Sequence, residues 1–498
     1  MGGLAAAARL AGAGERVLLL EANAHPGGTA YVYYRKGFAF PMGPLGISSP
    51  QIIKDTLSEL GLAPPQMKQV HYRLRAFDLD LPVSLPFPEM VREFTRVFPA
   101  DQNAVESFFH EVQKLDLEEE GAKDTDNRKA MEKAANTSAN DFLKTLVSDF
   151  RVRRILGSMG AREPYSSMLL LSAMWQLLCR QGIWYPEGGT HGLAQQLCER
   201  ISRTPDCEVR FSTAIDNIEI ENGKAAGVRL VSGERIKAAK IVSNADFKKT
   251  FLELTDARAL PSGLAEEVAK ARQTGSVIQV CLGTDRNMTD LSAFSKAGRI
   301  IYQRHPANSP PPEWELNEVD PSKLAGQELE VSCWSKDCPS LAPPGKEVII
   351  IRTEADYNHF SRFRTGHMKR TDDYFDYKMK LARALRAEAS RVIPGLPEAV
   401  DVVDVATPLT FRDRGGRSEG AVAGWSWDFE DNRDYEAREL VETPVAGLYM
   451  AGYQAFSSLF SGGVPTALKS GLMAAERLLR GAGPAASFRL PGRRDEQS

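Results

Sequence analysis

A helix running directly into a strand that is apolar at every inner position constrains this chain more than any other feature. Residues 1–28 read MGGLAAAARLAGAGERVLLLEANAHPGG. Leu4 to Ala11 is built of Ala and Leu, the strongest helix formers, and Gly12 and Gly14 stop it. Arg16 to Leu20, RVLLL, shows no polar alternation, so both of its faces need cover, as in a parallel sheet. Glu21 ends that strand. Helices must then lie on both sides of the sheet, which makes the class α/β. Helix, buried strand and terminal acid form the second half of a dinucleotide-binding βαβ unit.

In such a unit G-x-G-x-x-G opens the helix, and an acid about 20 residues on holds a ribose. Gly3 fits the third glycine, and Glu21 follows it by eighteen residues. Met1 and Gly2 then take the variable positions. A strand carrying the first two glycines is expected upstream of residue 1.

The rest of the chain extends the pattern. Pro26-Gly27-Gly28 is a turn, followed by two short strands, Tyr31 to Tyr34 and Gly37 to Phe40. Residues 209–246 read as strands, with hairpin turns at Asn222-Gly223 and Ser232-Gly233. Residues 100–182 read as helices, and a long helix is expected from Tyr374 to Arg391. Near the end, Leu448 to Met450 is a strand, Ala451-Gly452 a turn, and Gly462-Gly463-Val464-Pro465 a loop before a helix from Thr466. The amides at a helix N-terminus suit a phosphate.

The longest apolar stretch, Met168 to Cys179, is twelve residues, short of the ~20 that a spanning helix needs. Lys plus Arg is 62 and Asp plus Glu is 65, a net charge of −3, which gives no global attraction to nucleic acid. Hydrophobic residues make up 43%, enough for a globular protein rather than a disordered one. Six cysteines without a C-x-x-C pair and seven scattered histidines point to reduced thiols in the cytoplasm and to no metal site.

Five segments in order resemble one family. Glu21 with Gly27-Gly28 is similar to its ribose acid and double glycine. KGFAFPMGP (36–44) resembles G-F-x-F-D-x-G-P, and GIWYPEGGTHGLAQQL (182–197) resembles Y-P-x-G-G-x-x-x-L. GVRLVSGERIKAAKIVSNAD (227–246) resembles its G-V-x-L…V-V-S-N-A-D segment. LYMAG and SGGVPTALKSG resemble its C-terminal flavin motif. On these motifs the chain is identified as a member of the FAD-dependent oxidoreductases that comprise phytoene desaturases, carotenoid isomerases and retinol saturases. It departs from the pattern at Thr29, Pro41 and Lys240, and in reading F-S-G-G-V-P-T near the end.

The resemblance implies a discontinuous Rossmann-like FAD domain (1–65, 186–268, 425–480) and a mixed-sheet substrate domain (66–99, 269–424). A helical cap (100–185) and a frayed tail (481–498) complete it. FAD would be held by Gly2, Gly3, Glu21, Gly27, Gly28, Gly452, Gly462, Gly463 and Val464. A long apolar isoprenoid or polyene is the expected substrate, with Tyr165, Trp184 and Tyr185 lining its tunnel and with peripheral membrane contact. The leading activity is phytoene desaturation. The alternatives are carotenoid isomerisation or retinol saturation, amine oxidation, and flavin-free prenyl binding. No second G-x-G-x-x-G follows a strand, which favours a quinone or oxygen as electron acceptor. His25 and His191 read as surface turn residues. Arg412 and Glu419 fall where they could line the site, and no catalytic acid or base is named.

Overall fold

The computed structural model describes residues 1–43, 46–117, 124–158, 164–304, 327–433, 438–457, 462–481, 488 and 490–491. The first helix, Gly2–Gly12, is buried along most of its length, including Leu4 to Ala8, Leu10 and Ala11. Its small side chains let the C-terminal helix, Gly463–Arg480, pack directly on it. The approach is closest at Gly471, where a Cβ would lie 2.1 Å from the Gly2 carbonyl oxygen.

The strand Leu18–Leu20 pairs in parallel with Glu208–Arg210. A second parallel pair joins Ile241–Ser243 to Leu448–Met450. The first helix contacts both pairs. Beside them, Ile215–Glu221, Lys224–Leu230 and Arg235–Lys237 form an antiparallel three-stranded sheet. The turn in its first hairpin has Asn222 at φ 51° and Gly223 at φ 74°, the left-handed pair that a two-residue hairpin requires.

A seven-stranded mixed sheet dominates the rest. Its order is Val400–Ala406, Ser276–Asp285, Lys346–Ala355, Leu329–Cys333, Arg299–Tyr302, Tyr72–Ala76, Leu79–Pro82. Only Arg299–Tyr302 and Tyr72–Ala76 run parallel. One face carries Ile278, Val280, Val331, Ile349 and Ile351, which share an apolar core with the helix Tyr374–Ala389. The other face meets the hairpin Val32–Arg35/Phe38–Pro41. There a Cβ at Gly283 would strike the Phe38 ring at 2.7 Å.

Helices Gln102–Lys114, Thr125–Ala135, Ala139–Leu146, Phe150–Ser158 and Met168–Gln176 include much of a core centred on Trp175. Met168–Gln176 continues as a π-turn to Gln181, and Gly182, at φ 75°, ends it. Residues 118–123 of the polar stretch 117–141 lie outside the described residues.

Several boundaries differ from the sequence expectations. The last helix begins at Gly463 rather than Thr466, because Pro465 is tolerated in a first turn whose amides have no intrahelical partner. The first strand keeps only Leu18–Leu20 of RVLLL. Of the expected tail, Phe488 stacks on Phe247 with ring centroids 6.1 Å apart, and Leu490 is buried. Those two positions are packed rather than frayed.

Asp413 locks the helix Pro408–Asp413 to the small hairpin Arg364–Gly366/Lys369–Arg370. Its carboxylate is 2.7 Å from Arg370 Nη1 and 3.2 Å from Arg364 Nη2, and it accepts the Met368 N–H at 3.1 Å. Burial alone would raise its pKa, but Arg370, the Met368 amide and Arg364 outweigh burial and hold it below the usual carboxylate value. Its contribution is therefore complete above the unfolded Asp value of about 4. It is lost as pH falls through the lowered native value. Asp413→Asn is expected to cost roughly 2 kcal/mol at pH 7. The gap to wild type should close below about pH 4. Thermal melts across pH check this, and a constant gap would refute it.

Candidate functional site

Two helix N-termini and one glycine turn define the site. The first helix has no side-chain N-cap of its own and no acid in its first turn; instead the Gly3 N–H donates to Asn244 Oδ1. Gly452, at φ 109°, is tied to Ser470 Oγ through its N–H at 2.9 Å. A Cβ at Gly2 would lie 2.5 Å from Gly452 N and 2.8 Å from Ala467 O. Gly2, placed by the sequence at a variable position, is thus the tighter of the two opening glycines. It is demanded by the C-terminal helix as much as by the sheet.

The helix Gly463–Arg480 likewise starts without a side-chain cap or a first-turn acid. Gly462 is at φ 78°, and a Cβ there would sit 2.1 Å from Ser48 Oγ, whereas the space before Gly463 is open. The Val464 side chain is buried against the first helix, so only its backbone can face a ligand. An uncapped helix start presents free amides and the positive end of the helix dipole, which suits an anion such as a phosphate.

Glu21 ends its strand with its N–H on Arg210 O at 2.9 Å. One carboxylate oxygen, Oε1, accepts the Asn23 N–H at 2.8 Å and the Asn23 side-chain amide at 2.9 Å. The other, Oε2, makes no bond to the described residues and can accept from a ribose hydroxyl. Met1, at the start of the first helix, lies within electrostatic reach of Glu21. Gly27 and Gly28 follow with φ of 100° and 57°. A Cβ at Gly27 would meet Ala194 at 2.9 Å, while Gly28 faces open space. These are the features of a cradle that side chains would fill.

The turn continues into Thr29, where the sequence offered no role. Arg417 Nη2 donates to Thr29 Oγ1 at 2.6 Å. Its Nη1 binds the carbonyls of Ala421 and Val422, and the guanidinium lies 4.8 Å from the Tyr453 ring centroid. Beside it, Ser418 Oγ donates to Asp246 Oδ1 at 2.5 Å, which also caps Lys249 N–H. Arg417 thus ties the loop 415–421 to the glycine turn. Arg412 does not join it: it pairs with Glu253 at 3.5 Å and lies over Tyr357. Glu419 sits in that loop at φ 52°.

His25 and His191 are each partly covered. His25 is half-buried and stacks on Tyr31 with centroids 3.5 Å apart. His191, at the start of the helix His191–Ser202, is half-buried, and burial holds its pKa below the usual value. Of the three suggested tunnel residues, Tyr185 is buried edge-on to Trp334 at 4.9 Å, and Trp184 donates its ring N–H to Gln181 O. These two are neighbours on Ile183–Pro186. Tyr165 stands apart, its carbonyl accepting the Phe429 N–H.

Sequence reasoning missed Asn244, Ser470, Thr29 and Arg417. Asn244 had a signal, the S-N-A-D segment. Arg417 had none, because its 388-residue separation from Thr29 is set only by the fold.

The family model described as "Flavin containing amine oxidoreductase" matches residues 1–479. The chain is 24% identical to an inactive all-trans-retinol 13,14-reductase of Danio rerio over 96% of this chain and 84% of that protein. It is 25% identical to a chloroplastic prolycopene isomerase of Daucus carota, over 96% and 78%. It is 24% identical to a zeta-carotene-forming phytoene desaturase of Myxococcus xanthus, over 96% and 92%. Among solved structures, an oxidoreductase of Methanosarcina mazei superposes with a TM-score of 0.61 at 17% identity, covering 96% of this chain and 98% of that one. A putrescine oxidase variant gives 0.62 at 14% identity, covering 96% of each.

Proposed function

Because the chain belongs to the flavin-containing amine oxidoreductase family, we propose that it is an FAD-dependent oxidoreductase of a long isoprenoid or polyene, working as a phytoene desaturase does. The observation that carries the flavin part is the start of the last helix, which has no side-chain cap, beside the closely packed start of the first. The relatives that resemble it include a desaturase and an isomerase of carotenoids, which supports the substrate class.

In this reading Glu21 Oε2 takes the ribose hydroxyls. The starts of the first and last helices, through Gly2-Gly3 and Gly462-Gly463-Val464, take the pyrophosphate and the ring edge. Gly2 and Gly452 serve by close packing, and Gly27-Gly28 leave the space that the cofactor needs. Bound FAD supplies hydride transfer to or from an allylic carbon. Arg417 holds the Thr29 turn in place, and the buried Tyr185–Trp334 pair helps exclude water from that side.

We place the protein in the cytoplasm, drawing its substrate from a membrane surface. No helix among the described residues is long and apolar enough to cross one. Reduced-flavin isomerisation or saturation is the second reading, favoured by the resemblance to a prolycopene isomerase. An anaerobic requirement for reductant separates it from desaturation.

Glu21→Gln is expected to weaken FAD binding about 10- to 100-fold, the loss of a charge-assisted hydrogen bond. Flavin fluorescence titration measures it, and an unchanged affinity would remove Glu21 from the cofactor site. Expression in phytoene-producing cells, followed by pigment chromatography, tests the substrate. An unaltered polyene profile with flavin bound would count against it.

A further inference from the structure

The seven-stranded sheet ends in two edges of different character. At one, Leu79–Pro82 is four residues long and ends in Pro82, and Asp80 is held by Arg73 at 2.7 Å and Arg75 at 3.0 Å. Short length, proline and charge keep an edge from pairing with another chain. At the other, Val400–Ala406 is seven residues, VDVVDVA, without proline or lysine.

The register shows which of its backbone groups are open. The Asp285 N–H donates to Ala399 O at 2.9 Å, whereas the Arg286 N–H donates to Gly345 O, on the other side, at 3.1 Å. Alternate residues of an antiparallel strand bond to opposite neighbours. Gly283 and Cys281 therefore bond to Val400–Ala406, and Leu282 and Val280 bond to Lys346–Ala355. Val403 and Val405 stand opposite Leu282 and Val280, so their amides and carbonyls point out of the sheet. Val405 is capped from within the chain: Asp404 Oδ1 accepts its N–H at 2.9 Å, and Lys378 Nζ donates to its carbonyl at 3.5 Å. The Val403 N–H and C=O have no hydrogen-bond partner among the described residues.

Val403 also lines an open depression of about 310 Å³, together with Arg35, Lys36, Asp401, Val402 and Asp404. Charge is uneven along it. Asp401 and Asp285 share the single Lys346, which leaves negative charge in excess at the start of the strand. Arg35 lies 3.6 Å from Asp404, with Lys36 next to it and Lys378 within electrostatic reach, which leaves positive charge in excess towards the end. Two exposed aromatic side chains flank the edge. Tyr34, 57% exposed, adjoins Arg35 on the hairpin, and Phe375, 62% exposed, has its ring centroid 5.6 Å from Lys378 Nζ. Aromatic residues and arginine are enriched at interfaces between proteins.

We propose that Val400–Ala406 pairs antiparallel with the same strand of a second copy of this chain, about a two-fold axis at Val403, so that the two sheets become one. The two copies of Val403 then exchange both hydrogen bonds. The antiparallel arrangement sets the basic end of each strand against the acidic start of the other, the self-complementarity that a two-fold contact needs. Centring on Val403 places Asp404 opposite Val402 instead of its own copy, where like charges would repel. The contact depends on neither the cofactor nor the substrate.

The test is sedimentation velocity of the full-length, flavin-loaded protein. Wild type should dimerise with a Kd of about 10 µM or tighter. Val403→Pro removes an amide that makes no bond within the chain, at the kind of edge position that accepts proline. It should weaken the dimer about 10- to 100-fold, the loss of two hydrogen bonds. Arg35→Glu/Lys36→Glu and Asp401→Arg should each be monomeric alone and form a heterodimer when mixed, since each supplies the charge that the other now needs. Circular dichroism and flavin content establish that each variant is folded, and the mixing experiment decides by itself if Val403→Pro is not. A wild type still monomeric at about 100 µM would overturn the proposal. So would a dimer unaffected by Val403→Pro, or charge-reversed variants that dimerise alone as wild type does or stay apart on mixing.

Discussion

Asp337→Ala is expected to lower stability by about 3–5 kcal/mol, because it strands a buried cation. Arg299 is fully buried and Asp337 is 6% exposed at its side chain; Arg299 Nη1 meets Asp337 Oδ2 at 2.7 Å. The guanidinium also lies 4.2 Å from the Trp334 ring centroid, a favourable cation–π contact. Its Nε and Nη2 already lack partners, so among the described residues Asp337 is the one carboxylate in ion-pair contact with it. The space for that carboxylate is reserved by Gly298, where a Cβ would come within 2.2 Å of Asp337 Oδ2. Arg299→Met alone should cost less than Asp337→Ala, since it removes the charge together with its need for a partner. The double variant Arg299→Met/Asp337→Ala should recover part of the loss. Denaturant midpoints of the four proteins give the coupling, and strict additivity would show that the pair is not interacting.

The parts of this molecule that follow local rules were legible in the sequence. RVLLL gave a strand because no polar residue interrupts it, although Leu18–Leu20 are half-buried rather than covered on both faces, and Asn222-Gly223 gave a hairpin because its two positive φ values suit few other pairs. Leu448–Met450 was placed to the residue. The start of the last helix was missed by three positions, since Pro465 reads as a breaker although a first turn accepts it. Arg352 was invisible for a plainer reason. EVIIIRTE looks like an apolar strand with a polar end, and only pairing with Gln279 and Glu330 shows that its arginine points into the protein.

Trp175→Ala is expected to cost about 3–5 kcal/mol, the range for emptying a large aromatic site in a packed core. Trp175 is completely buried. Its ring is edge-on to Phe109 at 5.3 Å, Phe94 at 6.1 Å and Phe108 at 6.3 Å. Its indole N–H donates to Leu156 O at 2.7 Å, tying the helix Met168–Gln176 to Phe150–Ser158. Trp175→Phe keeps most of the volume and the edge-to-face contacts but leaves the Leu156 carbonyl without that partner, so about 1–3 kcal/mol should be lost. The order Ala below Phe below wild type separates packing from hydrogen bonding. A tunnel-wall role, the alternative for this aromatic stretch, makes a different demand. It would leave stability nearly unchanged on truncation and alter the length of chain accepted. Urea midpoints set beside the chain-length profile of bound polyenes decide between them. With Trp175 enclosed on three sides by phenylalanine, the structural outcome is the one expected.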